Sequence, residues 1–282
     1  MTSTTTTETT TGPGRPSSAD LRDHATARRP FRLARHSFAL AGRSVTLIKR
    51  NPEALIDVTL TPIIFLLLFV YLFGGAIADG DRGEYLNFVL PAVLLQTLVF
   101  CATYIGVNLN TDITKGVFDR FRSLPIPRSA PLVGAVLGDV VRYTVCTVVC
   151  IAAGFAIGFR IQTDVFQTIG ACLLAMAFCL CLCWAFVLLG LILRTPQSVQ
   201  GVSFLLVMPL TFGSDFFVEA DTLPGFLQGW VGINPLTHVV TCMRGLMLGG
   251  EILEPFIYSV LWGMGFLVVF APLAVMRYRK RA

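Results

Sequence analysis

Four stretches of this sequence carry no Asp, Glu, Lys or Arg: Val58–Ala78, Leu86–Thr111, Val165–Leu193 and Pro255–Met276. A helix needs about 20 predominantly apolar residues to cross a hydrocarbon core of roughly 30 Å, and each run is long enough. Soluble domains carry about 25% charged residues. Here the fraction is 14%, and those charges cluster between the apolar runs. A cytosolic enzyme and a two-pass anchor are both excluded. The expected fold class is an all-α polytopic membrane protein.

Six transmembrane helices are expected, over about Ile56–Ala76, Leu86–Asn108, Pro131–Phe159, Phe166–Leu193, Val199–Phe217 and Phe256–Met276. The uncharged stretch 222–243 is long enough for a seventh, but it holds Pro224, Gly225, Gly229, Gly232, Asn234 and Pro235. These residues break a helix into pieces, and open backbone at membrane depth must be shielded by protein or water. Two short re-entrant helices fit it better than a span.

Before the first span, Phe31, Ala34, Phe38, Ala41, Val45 and Ile48 recur at steps of 3 or 4, with Arg32, Arg35, Arg43 and Lys49 mostly off that line. This predicts an amphipathic interfacial helix over 31–50. Residues 1–30 begin TSTTTTETTT after Met1 and have no apolar core of a signal peptide, so they read as a disordered cytoplasmic tail. The remainder, 51–282, reads as one membrane domain.

The net charge of +5 follows topology rather than a nucleic-acid partner. With six spans, 18 Lys and Arg fall on the side of the termini and three, Arg82, Arg160 and Arg244, on the other. The positive-inside rule then puts both termini in the cytoplasm. Seven of the eight cysteines lie in apolar spans. They imply neither a disulfide framework nor a metal site; small thiols filling helix contacts are the expected use.

The loop between the second and third spans is the most informative segment. Ile113, Val117, Phe121 and Leu124 step by 4, 4 and 3, beside Phe118 and among Asp112, Lys115, Asp119 and Arg122. The pattern predicts a short helix over 112–124, with an aromatic knob and a charged collar, ended by Pro125. Docking into a groove of a cytoplasmic partner and lying flat on lipid headgroups both suit it.

The runs NPEALIDVTLTPIIF (51–65), TDITKGVFDRFRSLPIPRSAPLVGAVLGD (111–139) and MPLTFGSDFFVEADTLPGFLQGWVGINPLTHVVTCMRGLMLGG (208–250) resemble the ABC-2 export permeases. More narrowly, they are similar to the daunorubicin/doxorubicin-type drug resistance permeases of actinobacteria. The resemblance implies a type V ABC exporter fold. It implies a homodimer of permeases working with two copies of a cytoplasmic ABC ATPase, which carries the ATP and Mg. Under it, Asp112, Lys115, Val117, Phe118, Asp119, Phe121 and Arg122 form the ATPase-coupling helix, and 31–50 the connecting helix packed beside it. No GxxxxGK[ST] run exists in this chain, so it is not an enzyme and no cofactor is expected on it.

The implied substrate is an amphipathic small molecule such as an antibiotic, with a glycolipid, lipid or surface-polymer precursor as the alternative cargo. Aromatic side chains Phe65, Phe69, Phe100, Phe204, Phe212, Phe216 and Phe217 are the candidate wall of its path, each also suited to plain packing or to lipid. Phe212, Phe216, Phe217, Asn234 and Pro235 are the candidate gate or pathway residues. Asp139 and Arg142, three apart within the third span, are expected to form an intramembrane ion pair. Arg244 has Asp221 and Glu251 as candidate partners. An ion-driven secondary transporter would want several intramembrane acids in a broken helix, and only Asp139 is offered. A membrane enzyme would need a catalytic cluster, and the three histidines, His24, His36 and His238, are scattered.

Overall fold

The computed structural model describes residues 52–74, 82–116, 130–217 and 224–281. The expected tail 1–30, the interfacial helix 31–50 and most of the 112–124 helix lie outside these residues. Every regular element described is helical. In chain order they are α1 (Pro52–Leu68), α2 (Arg82–Thr114), α3 (Ala130–Ile157), α4 (Val165–Ile192), α5 (Pro196–Phe212), α6 (Gly225–Ile233), α7 (Pro235–Leu248) and α8 (Leu253–Arg281). A π-helical turn, Phe69–Phe73, continues α1.

Four of these helices are long and apolar enough to cross a membrane, within Arg82–Thr114, Gly134–Ile157, Val165–Ile192 and Leu253–Tyr278. Among the described residues, four of the expected six spans thus meet the length and apolarity of a crossing. Among the described residues α1 and its π turn carry an apolar stretch over Thr59–Leu72, and α5 has 17 residues. The fifth span was expected to reach Phe217, but α5 stops at Phe212. Its last carbonyls are taken by a side chain from elsewhere: Asn234 Nδ2 donates to Leu210 O at 2.7 Å and Gly213 O at 2.9 Å. Helix ends need such partners, and here a distant residue supplies them.

Helix α2 is the axis of the bundle. Its apolar window is 78% buried, against 17% for α8, which faces outward. It packs chiefly on α4, α3 and α5, while α4 also takes α8 and α7 against its other side. The α2–α4 crossing is backbone on backbone. A Cβ added at Gly190 would meet the Gly106 carbonyl, and one at Gly106 would meet the Phe186 carbonyl. Small residues allow this approach where no hydrophobic gain favours one helix pair over lipid. Asn110 secures the crossing. Its Nδ2 donates to Gly190 O at 2.9 Å and Leu193 O at 2.7 Å, closing the end of α4.

Local signals set the other breaks. Thr195 Oγ1 accepts from Ser198 N at 3.2 Å, with Pro196 opening α5. Asn234 Oδ1 accepts from Leu236 N at 3.0 Å, with Pro235 opening α7. The stretch 222–243 thus holds two short helices, as its breakers predict, but the second runs on to Leu248, where Gly249 at φ 92° ends it.

Candidate functional site

A cavity of about 270 Å³ lies between α1, α2 and α5. Phe65, Phe100, Tyr104 and Phe204 supply its aromatic wall, and Thr61, Thr97, Thr103 and Gln200 its polar side chains. The Phe65 and Phe100 rings face each other at 6.3 Å. Thr97 Oγ1 donates to Val93 O at 2.6 Å, which spends its hydrogen on its own helix and leaves an oxygen to accept. The lining has no Asp, Glu, Lys or Arg. It offers flat π surfaces with a few hydrogen-bonding atoms at the edge, which suits a ring system carrying hydroxyl or carbonyl groups.

An aromatic ladder leaves the cavity along α1. Phe65 stacks on Phe69 at 6.1 Å, and Phe69 stacks on Phe217 at 4.0 Å with the rings 13° from parallel. Phe69 opens the π-helical turn, a distortion found often at functional sites. Phe217 belongs to the non-helical linker after α5 and also touches Phe212 and Phe216. The candidate wall residues therefore divide. Phe65, Phe100 and Phe204 line the cavity, while Phe69 and Phe217 meet at the head of the ladder. Phe212 is exposed, and Phe216 is wholly buried behind Phe217.

Arg244 on α7 fixes that linker. Its Nη1 donates to Asp215 Oδ2 at 2.9 Å, its Nη2 to Asp215 O at 2.8 Å and to Phe216 O at 3.1 Å, and its Nε to Phe88 O on α2 at 3.1 Å. The guanidinium lies 3.7 Å from the centre of the Phe88 ring. Among the described residues no ion pair joins Arg244 to Glu251, one of its two expected partners. Glu251 is exposed, and Asp221 lies outside the described residues. No sequence rule marks Asp215 as the partner, because the two residues are 29 apart and α6 intervenes. Asn234 and Pro235 act as the joint that ties α5 to α7. His238 stacks on Tyr258 at 4.8 Å.

Arg142 Nη1 and Asp139 Oδ1 are 3.4 Å apart on α3. The Arg142 guanidinium also lies 5.8 Å from the Tyr104 ring, so the pair backs the cavity wall. At the far end of α2, Asp112 and Thr114 form its last turn. Lys115 and Gly116 form a turn, with Gly116 at φ 68°. A single helix over 112–124 is therefore interrupted: a left-handed Gly closes α2 before Val117. Val117, Phe118, Asp119, Phe121 and Arg122 lie outside the described residues. Among the described residues, no group of three or more His, Cys, Asp and Glu is placed to hold a metal ion.

Residues 35–248 match the ABC-2 type transporter family. The chain belongs to that family. This ABC-2 permease is 41% identical over 280 residues to the daunorubicin resistance ABC transporter permease protein DrrB1 of Streptomyces coeruleorubidus, covering 96% of the chain and 99% of that protein. It is 25% identical over 242 residues to a probable doxorubicin resistance ABC transporter permease, DrrC, of Mycobacterium tuberculosis, covering 84% of the chain and 86% of the relative. Against the inner membrane transport permease YadH of Escherichia coli it is 23% identical over 204 residues, covering 70% and 76%. The chain is thus the membrane-embedded permease subunit of an ABC transporter and carries no ATPase activity of its own.

Proposed function

We propose that this permease exports a flat, amphipathic, drug-like molecule, and that the cavity between α1, α2 and α5 receives it. The carrying observation is the uncharged aromatic lining of Phe65, Phe100, Tyr104 and Phe204. The near full-length likeness to a daunorubicin resistance permease supports the same substrate class. Export of a glycolipid or polymer precursor by the same fold is the alternative reading.

Two copies of the chain pair with two cytoplasmic ABC ATPases that bind ATP and Mg. Segment 112–124 meets the ATPase, helix 31–50 packs at the same junction, and residues 1–30 form a cytoplasmic tail. ATP-driven closure of the ATPases tilts the bundles and changes which side the cavity faces. The stacked Phe69–Phe217 pair, with Phe212, Phe216, Asn234 and Pro235 behind it, forms the outer gate.

In this reading the chain crosses the bacterial cell membrane six times with both termini inside. Helices α1 with its π turn and α5 cross alongside the four long helices, and α6 and α7 form the re-entrant pair on the outer side. At 1.5 Å per residue α5 is about 25 Å long, short enough that the bilayer must thin beside it. The bias of 18 basic residues against three supports the orientation.

The test is ATP hydrolysis by the co-purified permease and ATPase in lipid nanodiscs. Stimulation by planar aromatic amphiphiles is expected, and Phe100→Ala should weaken it. Stimulation by polymer-lipid precursors alone would favour the other cargo.

A further inference from the structure

Asp139, Tyr143 and Thr147 lie one helical turn apart on a single face of α3. Each is more than nine-tenths buried, at 5%, 0% and 7% exposure. Each carries a polar atom without a hydrogen-bond partner: Asp139 Oδ2, Tyr143 Oη and Thr147 Oγ1. At 1.5 Å rise per residue the stripe is about 12 Å long. Its surroundings offer little. Around Tyr143 stand Asp139 and the thiols of Cys101 on α2 and of Cys179 and Cys183 on α4. The Cys183 thiol gives its hydrogen to Leu180 O at 3.0 Å.

Three such atoms in succession are more than a bundle tolerates dry, since each buried polar group left without a partner forfeits its solvation. Native interiors answer this with ordered water that makes two to four hydrogen bonds. We propose that this face of α3 is an internal hydration site, a file of ordered water running from Asp139 past Tyr143 to Thr147. The file has a definite role in charge balance. Asp139 Oδ1 is engaged with Arg142 at 3.4 Å, too long for a tight ion pair, and water on Oδ2 supplies the solvation that Arg142 does not. A solvated, charged Asp139 holds Arg142 beside Tyr104, so the file sets the electrostatics of the cavity wall; this last step rests on the cavity being the transport site.

The test is hydroxyl-radical footprinting of the full chain in nanodiscs, read residue by residue. Radicals form on bound water, so Tyr143 should be oxidised although it has no exposed surface. Thr147→Val should cut that oxidation severalfold while exposed Tyr71 and Tyr258 stay unchanged. Thermal melting gives an independent sign. Tyr143→Phe and Thr147→Val should each lower the midpoint by a few degrees, because each removes a satisfied hydroxyl. Unlabelled Tyr143 overturns the proposal. So does labelling unaffected by Thr147→Val, which reports opening of the whole bundle. A raised midpoint in both variants also overturns it, because deleting an unsatisfied hydroxyl stabilises. None of these readouts depends on the transported molecule, so they stand or fall apart from the cavity assignment.

Discussion

Arg244 on α7 holds Asp215 in the linker after α5 through both the side chain, at 2.9 Å, and the backbone carbonyl, at 2.8 Å. One residue thereby clamps a non-helical segment whose next residues, Phe216 and Phe217, cover the head of the aromatic ladder. Both side chains are little exposed, 13% for Arg244 and 12% for Asp215. Removing one partner of such a pair leaves a buried charge unpaired, at a cost of roughly 3–5 kcal/mol. Asp215→Leu is expected to lower the melting midpoint more than the double variant Asp215→Leu with Arg244→Met does. Thermal melting of the four members of the cycle decides it, and strictly additive losses would remove the pair from the account.

The α2–α4 crossing has no room for a methyl group. Gly190→Ala must push the two backbones apart, because the added carbon lands on a carbonyl rather than on a side chain that can turn. Overpacking of this kind costs about 1–3 kcal/mol. A lower midpoint and poor recovery of monodisperse protein are expected, whereas Gly201→Ala, which meets nothing, should be silent. Equal behaviour of the two variants in size-exclusion chromatography and melting would contradict the crossing.

Phe100 gives the cavity a ring face, and truncating it leaves the fold's main crossing intact. Phe100→Ala should weaken binding of a fluorescent planar aromatic ligand by about tenfold, in line with the energetics of a buried aromatic contact. Phe212→Ala, on the exposed side, should leave binding unchanged. Titration of both variants against the parent protein measures this.

The resemblance to ABC-2 permeases implies that Phe118 and Phe121 dock on the ATPase. Changing both to Ala should weaken association with the partner ATPase by about tenfold or more, because aromatic anchors dominate such interfaces. The melting midpoint of the permease alone should not move. Interferometry and melting on the same samples separate docking from packing, since a joint collapse would mean that the two rings support the bundle.

Topology has its own check. A single cysteine placed in Gly80–Gly83, in a background with the native cysteines replaced, should react with an impermeant maleimide on intact cells. One placed at position 282 should not. External labelling at 282 would overturn the even number of crossings.

The sequence alone determined the class of fold, because transfer of charge-free runs into lipid depends on composition within about 20 consecutive residues. It also marked the break at Asn234–Pro235, since a missing N–H and a capping side chain act on their immediate neighbours. The ion pair of Asp139 with Arg142 was legible for the same reason, being one turn apart on one helix. Tertiary structure decided the rest. The end of α5 at Phe212 depends on Asn234, more than 20 residues further on. The partner of Arg244 is Asp215 rather than Glu251 because the packing of α7 against α2 and the linker points the guanidinium inward. The rank of α2 as the buried axis and the meeting of Phe69 with Phe217 are likewise relations between helices. Lipid is as apolar as Leu, so hydrophobicity cannot choose among helix neighbours in a membrane. Glycine contacts, side-chain caps and buried hydrogen bonds make that choice, and they exist only once the helices are in place.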